Sequence, residues 1–133
     1  MAQVARKPKV VVADDEGAIA ETMALILNAN GYIAQAVGSG EAAVEIAERF
    51  RPDFLISDIR MGAMDGIEAA MRVRQMCPQC KVVVFSATMV DHDTRLRLRE
   101  LGFDFLRKPL HPSQLMAHLR KWWSLPCAPG APA

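Results

Sequence analysis

Three short runs in this chain, Val10-Val11-Val12-Ala13, Phe54-Leu55-Ile56 and Val82-Val83-Val84-Phe85, are apolar without interruption. A strand with one wet face alternates apolar and polar residues. A short, continuous β-branched run instead belongs to a strand covered on both faces, the situation inside a parallel sheet flanked by helices. Two further segments are mixed: Ile33-Ala34-Gln35-Ala36-Val37 alternates, and Phe103-Asp104-Phe105-Leu106 carries a charge. Mixed strands suit the margins of a sheet, so the pattern predicts three central strands with the second and fifth at the edges.

Helical patterns fill the intervals. Ile19, Met23, Ile26 and Leu27 recur at helical spacing, and Gly31 follows where a helix would stop. Ser39 is placed to cap a second helix with Ala43, Ile46, Ala47 and Phe50 inward and Glu45 and Arg49 paired outward. A third is expected over Gly66–Met76, with Ile67, Ala70 and Met71 on its apolar side, and a last one from Pro112, carrying Leu115, Leu119, Trp122 and Trp123. The two tryptophans do not both fit an inward face, which leaves one free for contacts. The segment Arg95-Leu96-Arg97-Leu98-Arg99 alternates like a strand, yet Asp91 and Asp93 precede it and Gly102 follows it as helix boundaries do. A parallel sheet also needs a crossover there, so a helix is expected. Five βα units with right-handed crossovers give a doubly wound α/β fold, a (βα)5 flavodoxin-like sheet in the order 2-1-3-4-5.

At 133 residues and 51% hydrophobic composition, one ordinary core is affordable without staples. The domain is expected over residues 1–123, with 124–133 a short Pro/Ala-rich tail, disordered. A formal charge of +1 gives no support for direct nucleic-acid binding. No apolar run approaches the ~18 residues of a membrane span and no signal peptide is recognisable, so a cytoplasmic protein is expected. Three cysteines rule against a closed disulfide framework. Cys77-Pro78-Gln79-Cys80 has redox-pair spacing but follows a helix rather than opening one, and neither Cys127 nor His111 and His118 supply a second zinc-binding pair. A helix-to-strand turn is the better reading.

In an open α/β sheet, ligands bind at the carboxyl ends of the strands. Those ends carry Asp14-Asp15, Asp58, Ser86 and Lys108-Pro109. Singly, each has an ordinary explanation: Asp15 as a helix cap, Asp58 as a turn opener, Ser86 as a loop hydroxyl, Lys108-Pro109 as a surface turn. Together on one edge they make a site. Two carboxylates about 4 Å apart repel by roughly 4 kcal/mol at an effective dielectric of 20. Three of them against one lysine call for a divalent cation, and hard oxygen donors select Mg²⁺, or Mn²⁺, over zinc. Carboxylate nucleophile, metal, hydroxyl and ammonium are the parts of phosphoryl transfer through an aspartyl phosphate.

The residues Asp14-Asp15, Asp58-Ile59-Arg60-Met61-Gly62-Ala63-Met64-Asp65-Gly66, Ser86-Ala87 and Phe105-Leu106-Arg107-Lys108-Pro109 resemble the receiver domain of two-component response regulators, from about Lys9 to Trp123. The resemblance implies that Asp58 accepts a phosphoryl group from a sensor histidine kinase, a phosphotransfer protein or a small donor such as acetyl phosphate. It implies that Asp15, Asp58 and the backbone carbonyl of Arg60 bind Mg²⁺ directly, with Asp14 acting through a coordinated water. Lys108 and Ser86 would bind phosphoryl oxygens, and Ser86 with Phe105 would form the switch. Pro109 matches a proline usually preceded by a cis bond. The resemblance places the responsive surface on the fourth helix, fifth strand and fifth helix, controlling a downstream target protein, and leaves homodimerisation on phosphorylation open. There, Arg95, Arg97, Arg99 and Arg107 read as a solvated face or as a docking surface for an acidic partner rather than as a nucleic-acid stripe.

Four positions depart from the family pattern. Gly62 replaces proline, Ser86 replaces threonine, Phe105 lacks a tyrosine hydroxyl, and Arg60 puts a bulky cation beside Asp58, where it is expected to alter the autodephosphorylation rate. Self-phosphorylation and autodephosphorylation are expected, not enzymatic turnover. A receiver cut from a larger regulator is the alternative within the family. A flavodoxin-like cofactor binder is disfavoured because Asp14-Asp15-Glu16 would repel its phosphate. An aspartyl-phosphate phosphatase of the haloacid-dehalogenase type is disfavoured because Arg60 stands where the second acid of a D-x-D pair belongs.

Overall fold

The structure, a computed structural model, describes residues 6–62, 64–87, 90–109 and 111–123. Strands and helices alternate along it: β1 (Lys9–Ala13), α1 (Gly17–Ala29), β2 (Ile33–Val37), α2 (Gly40–Phe50), β3 (Phe54–Asp58), α3 (Gly66–Met76), β4 (Lys81–Ser86), α4 (His92–Leu101), β5 (Asp104–Arg107) and α5 (Pro112–Leu119). All neighbouring strands are parallel, in the order β2-β1-β3-β4-β5. The sheet order and all ten elements match the expected (βα)5 pattern.

Because successive strand residues point to opposite faces, each apolar run feeds two cores. Val11, Leu55, Val82 and Val84 meet Ala43 and Ala47 of α2, Val73 of α3 and Leu98 of α4. Val10, Val12, Ile56 and Phe85 meet Met23 and Leu27 of α1 and Leu115 and Leu119 of α5. This is why β1, β3 and β4 carry no polar alternation. At the edge, Ile33 of β2 is 43% exposed.

Local chemistry sets the helix ends. Ser39 accepts from the Ala42 amide, Asp65 from Glu68, and Asp91 from Thr94, each capping the helix that follows. At the end of α4, Gly102 takes φ +75°, its amide donates to the Arg99 carbonyl, and the Phe103 amide donates to Leu98. These are the paired bonds of a Schellman stop, sealed by buried Phe103 against buried Leu98. Capping therefore overrides the period-two alternation of the arginine run. Phe103, expected in the fifth strand, belongs to this stop.

Other differences concern side chains. Ile19 is 43% exposed, and the inner face of α1 is Ala20, Met23, Ala24 and Leu27. Glu45 and Arg49 are exposed with no ion pair between them, as befits a contact worth only about 0.3–0.5 kcal/mol. Trp122 and Trp123 lie beyond α5, both half-buried and both against the Phe54 ring at centroid distances of 6.2 and 6.3 Å. Being outside the helix, they are not limited to one of its faces. Cys77 ends α3 and Cys80 precedes β4, both buried, and burial together with the neighbouring Cys77 pushes the Cys80 thiol up to about 12. A thiol so rarely ionised suits the turn reading. The tail at 124–133, with Cys127, lies outside the described residues.

Candidate functional site

At the carboxyl edge, β1 ends at Ala13 and runs directly into Asp14 and Asp15, while β3 ends on Asp58 itself. Adjacent parallel strands hold these ends side by side: Ala13 pairs with Ser57. One carboxylate oxygen from each of Asp14, Asp15 and Asp58 lies within 4.8 Å of the others. These are the described residues able to hold a metal ion, a set of hard anionic oxygens that fits Mg²⁺.

The three carboxylates are not equivalent. Asp14 is fully buried; its Oδ1 accepts from the Glu16 amide at 3.0 Å and its Oδ2 from Lys108 Nζ at 3.2 Å. Asp58 is 8% exposed; its Oδ1 accepts from the Arg60 amide at 3.2 Å and its Oδ2 from Lys108 Nζ at 3.0 Å. Asp15 is exposed. It does not cap α1, whose N-cap is Glu16 without a side-chain bond. Burial disfavours the Lys108 charge, but hydrogen bonds and attraction from Asp58 and Asp14 outweigh it and hold the ammonium above its usual pKa. The Lys108–Pro109 peptide bond is cis.

Three acids against one ammonium leave two negative charges, the balance a divalent cation would neutralise. Unit charges 4.8 Å apart repel by about 3.5 kcal/mol at an effective dielectric of 20.

Ser86 closes β4 with its side chain buried, and its carbonyl accepts from the Lys108 amide at 3.0 Å. Phe105 is half-buried in the core on the α4 side, with the Arg95 guanidinium 6.0 Å from its ring centroid. Arg60 is exposed beside Asp58, and Gly62 takes φ +47°, a conformation proline cannot reach. A cleft of about 460 Å³ adjoins these groups, lined by Asp14, Glu16 and Lys108 and by the apolar Ile19, Met23 and Phe85. Ile19, exposed to solvent, is one of the residues lining this cleft.

The supporting roles of two residues escape sequence reasoning. Ser57, fully buried, donates its hydroxyl to the Asp58 carbonyl at 3.0 Å. A Cβ on Gly66 would stand 2.0 Å from that same carbonyl oxygen, so only glycine lets α3 start against the Asp58 backbone. The Asp65-Gly66 dipeptide was the available signal for the second; nothing in the sequence distinguishes Ser57 from a core spacer.

A parallel (βα)5 sheet with clustered acids and a lysine at its carboxyl edge defines a class of phosphoacceptor signalling modules. The chain matches the response regulator receiver domain model over residues 10–120, and it belongs to that family. It is 27% identical over 114 residues to the DNA-binding response regulator MtrA of Mycobacterium tuberculosis, covering 86% of this chain and 50% of that protein. It is 29% identical over 112 residues to the alkaline phosphatase synthesis transcriptional regulatory protein PhoP of Bacillus subtilis, covering 84% of this chain and 47% of that protein. The chain thus spans about half the length of these relatives. In fold it resembles a CheY-like receiver domain protein of Methanospirillum hungatei JF-1, with a TM-score of 0.80 at 19% identity over 86% of this chain and 92% of the other.

Proposed function

We propose that this chain is a phosphorylation-controlled switch in two-component signalling whose acceptor is Asp58. The receiver unit is taken as residues 1–123. The bridged carboxylate pair carries the reading: Lys108 Nζ lies 3.0 Å from one Asp58 oxygen, poised to follow that oxygen's charge when it changes hands. Asp14 is sealed from solvent with both oxygens engaged, and Asp15 is held by no backbone donor among the described residues. Asp58 alone of the three is oriented by the Arg60 amide and still reachable.

In the step itself, an Asp58 carboxylate oxygen attacks phosphorus. The bond from phosphorus to a phosphohistidine nitrogen, or to the acyl oxygen of acetyl phosphate, breaks, and the leaving group keeps the electron pair. Asp14, Asp15, Asp58 and the Arg60 carbonyl would hold Mg²⁺ (or Mn²⁺), which when bound neutralises charge on the phosphoryl oxygens. Lys108 transfers its hydrogen bond from the Asp58 carboxylate to a phosphoryl oxygen, and the Ser86 hydroxyl donates to another. Ser86 ends β4 and Lys108 directly follows β5, so the added charge draws on the Ser86 and Phe105 positions and biases the α4–β5–α5 surface. A sensor histidine kinase or phosphotransfer protein supplies the group; a target protein, or a second copy of the chain, reads the surface. The phosphoryl group is lost to water without a catalytic cycle on other substrates.

Intact mass spectrometry after incubation with acetyl phosphate and Mg²⁺ tests this. Wild type is expected to gain one phosphoryl group and Asp58→Asn none. A gain retained in Asp58→Asn, or seen equally in chelator, would overturn the assignment.

A further inference from the structure

At the amino end of the sheet, away from the acidic cluster, a groove of about 410 Å³ lies between the starts of β3 and β4 and the residues that follow α5. Trp122 and Trp123 form its aromatic wall, set at 38° and 62° to the buried Phe54 ring. Arg6 fixes this wall in place. Its guanidinium lies 4.8 Å from the Trp123 ring centroid and forks onto Asp53, both nitrogens donating at 2.8 Å. Asp53 is the one carboxylate in the described lining, and its oxygens are already taken by Arg6 and the Lys9 amide. Arg6 and Asp53 cancel, so the charge left in the lining is that of Lys81. Lys81 opens β4, is exposed, and has no carboxylate within 4.0 Å among the described residues. Gln79 stands next to it in the lining, exposed, with its carboxamide in no hydrogen bond among the described residues.

We propose that this groove binds a small planar aromatic anion, its ring against Trp122 and Trp123 and its anionic group on Lys81. Indole walls favour a flat ring over an aliphatic body, and the volume falls in the range of small-ligand pockets. An ammonium and a carboxamide N–H, neither engaged by the protein, supply donors to a phosphate or carboxylate. The wall is held by Arg6 before any ligand arrives, so little ordering is needed on binding. A cationic ligand is disfavoured, because Asp53 has already spent its charge on Arg6. A nucleic-acid strand is disfavoured as well, since its affinity comes from neutralising several phosphates and one uncompensated ammonium holds one. The groove lies at the opposite end of the sheet from Asp58, and the proposal does not depend on the phosphoacceptor reading.

A nucleotide phosphate and the carboxylate of a simple aromatic acid are two sources of this chemistry, and the test separates them. Both tryptophans of the chain line the groove, so intrinsic fluorescence reports on it directly. Adenosine monophosphate and benzoate are titrated into the whole chain, with calorimetry as the second readout. At least one should alter the emission and bind at least about tenfold more tightly than its uncharged counterpart, adenosine or benzamide. Binding of the first alone assigns a nucleotide, and binding of benzoate an aromatic acid. Lys81→Glu, with its fold checked by circular dichroism, should lose at least about tenfold in affinity, while Lys81→Arg keeps the charge and should bind as wild type does. Failure of both anions to bind at millimolar concentration would overturn the proposal. So would equal binding of the uncharged compounds, full affinity in Lys81→Glu, or an equal loss in Lys81→Arg. A single-stranded oligonucleotide that binds through Lys81 more tightly than the mononucleotide would replace the small ligand with nucleic acid and overturn it too.

Discussion

Lys108 shows what a single residue does at this edge. Its ammonium lies between Asp58 and Asp14, with side-chain exposures of 16% for the lysine, 11% for Asp58 and none for Asp14. Cutting it back leaves two like charges facing each other with little water to screen them. Lys108→Ala should therefore cost about 1–3 kcal/mol in metal-free buffer. The same change makes the site more negative, so Mg²⁺ should raise the melting temperature of Lys108→Ala by more than it raises that of wild type. Thermal denaturation with and without Mg²⁺ reads both effects, and an equal gain in the two proteins would mean that the ion binds elsewhere. The acidic and basic members of the site were legible because charged side chains at strand ends are rare and conspicuous. Ser57 and Gly66 were not, since their roles depend on how closely α3 approaches the Asp58 carbonyl, a distance no periodicity encodes.

At the scale of elements, boundaries were written in capping residues more clearly than in hydrophobic period. The arginine run of α4 alternates as a strand would, yet Asp91 before it and Gly102 after it identify the helix, and its one buried residue is Leu98. A Cβ at Gly102 meets nothing within 4 Å, so substitution there acts through backbone conformation alone. Gly102→Ala should cost about 1–2 kcal/mol, the penalty of placing an L-residue at φ +75°. Chemical denaturation checks it: a loss near zero would mean the α4 stop relaxes freely, and a loss far larger would point to contacts beyond the turn. The inward face of α1 was harder to read, because Ile19 has helical spacing with Met23 yet lines the cleft and lies outside the buried set of Ala20, Met23, Ala24 and Leu27.

The whole molecule is tied together at the sheet edge opposite the acidic cluster. Asp53 accepts from both guanidinium nitrogens of Arg6 and from the Lys9 amide, each at 2.8 Å, and its own carbonyl accepts from the Lys81 amide. Three strands are thus joined through one residue. Burial works against the Asp53 charge, but Arg6 and the Lys9 amide more than compensate and hold its pKa below the ordinary value. A depressed folded-state pKa stabilises above the unfolded value of about 3.9, and that stabilisation is lost as pH falls through the folded one. Asp53→Asn should accordingly be less stable than wild type at neutral pH, with the gap closing in acid; a gap constant with pH would remove the charge from the explanation. The parallel order of the sheet was readable because three β-branched runs admit few arrangements, and the site followed because that order brings the ends of β1 and β3 together. One claim underlies the proposed function: Asp14, Asp15 and Asp58, brought together by the ends of β1 and β3, hold a divalent ion between them. Crystals grown with Mn²⁺ and examined by anomalous diffraction test it directly. The account predicts one peak coordinated by Asp15 and Asp58 beside Asp14, whereas carboxylates turned apart around an empty centre would contradict it.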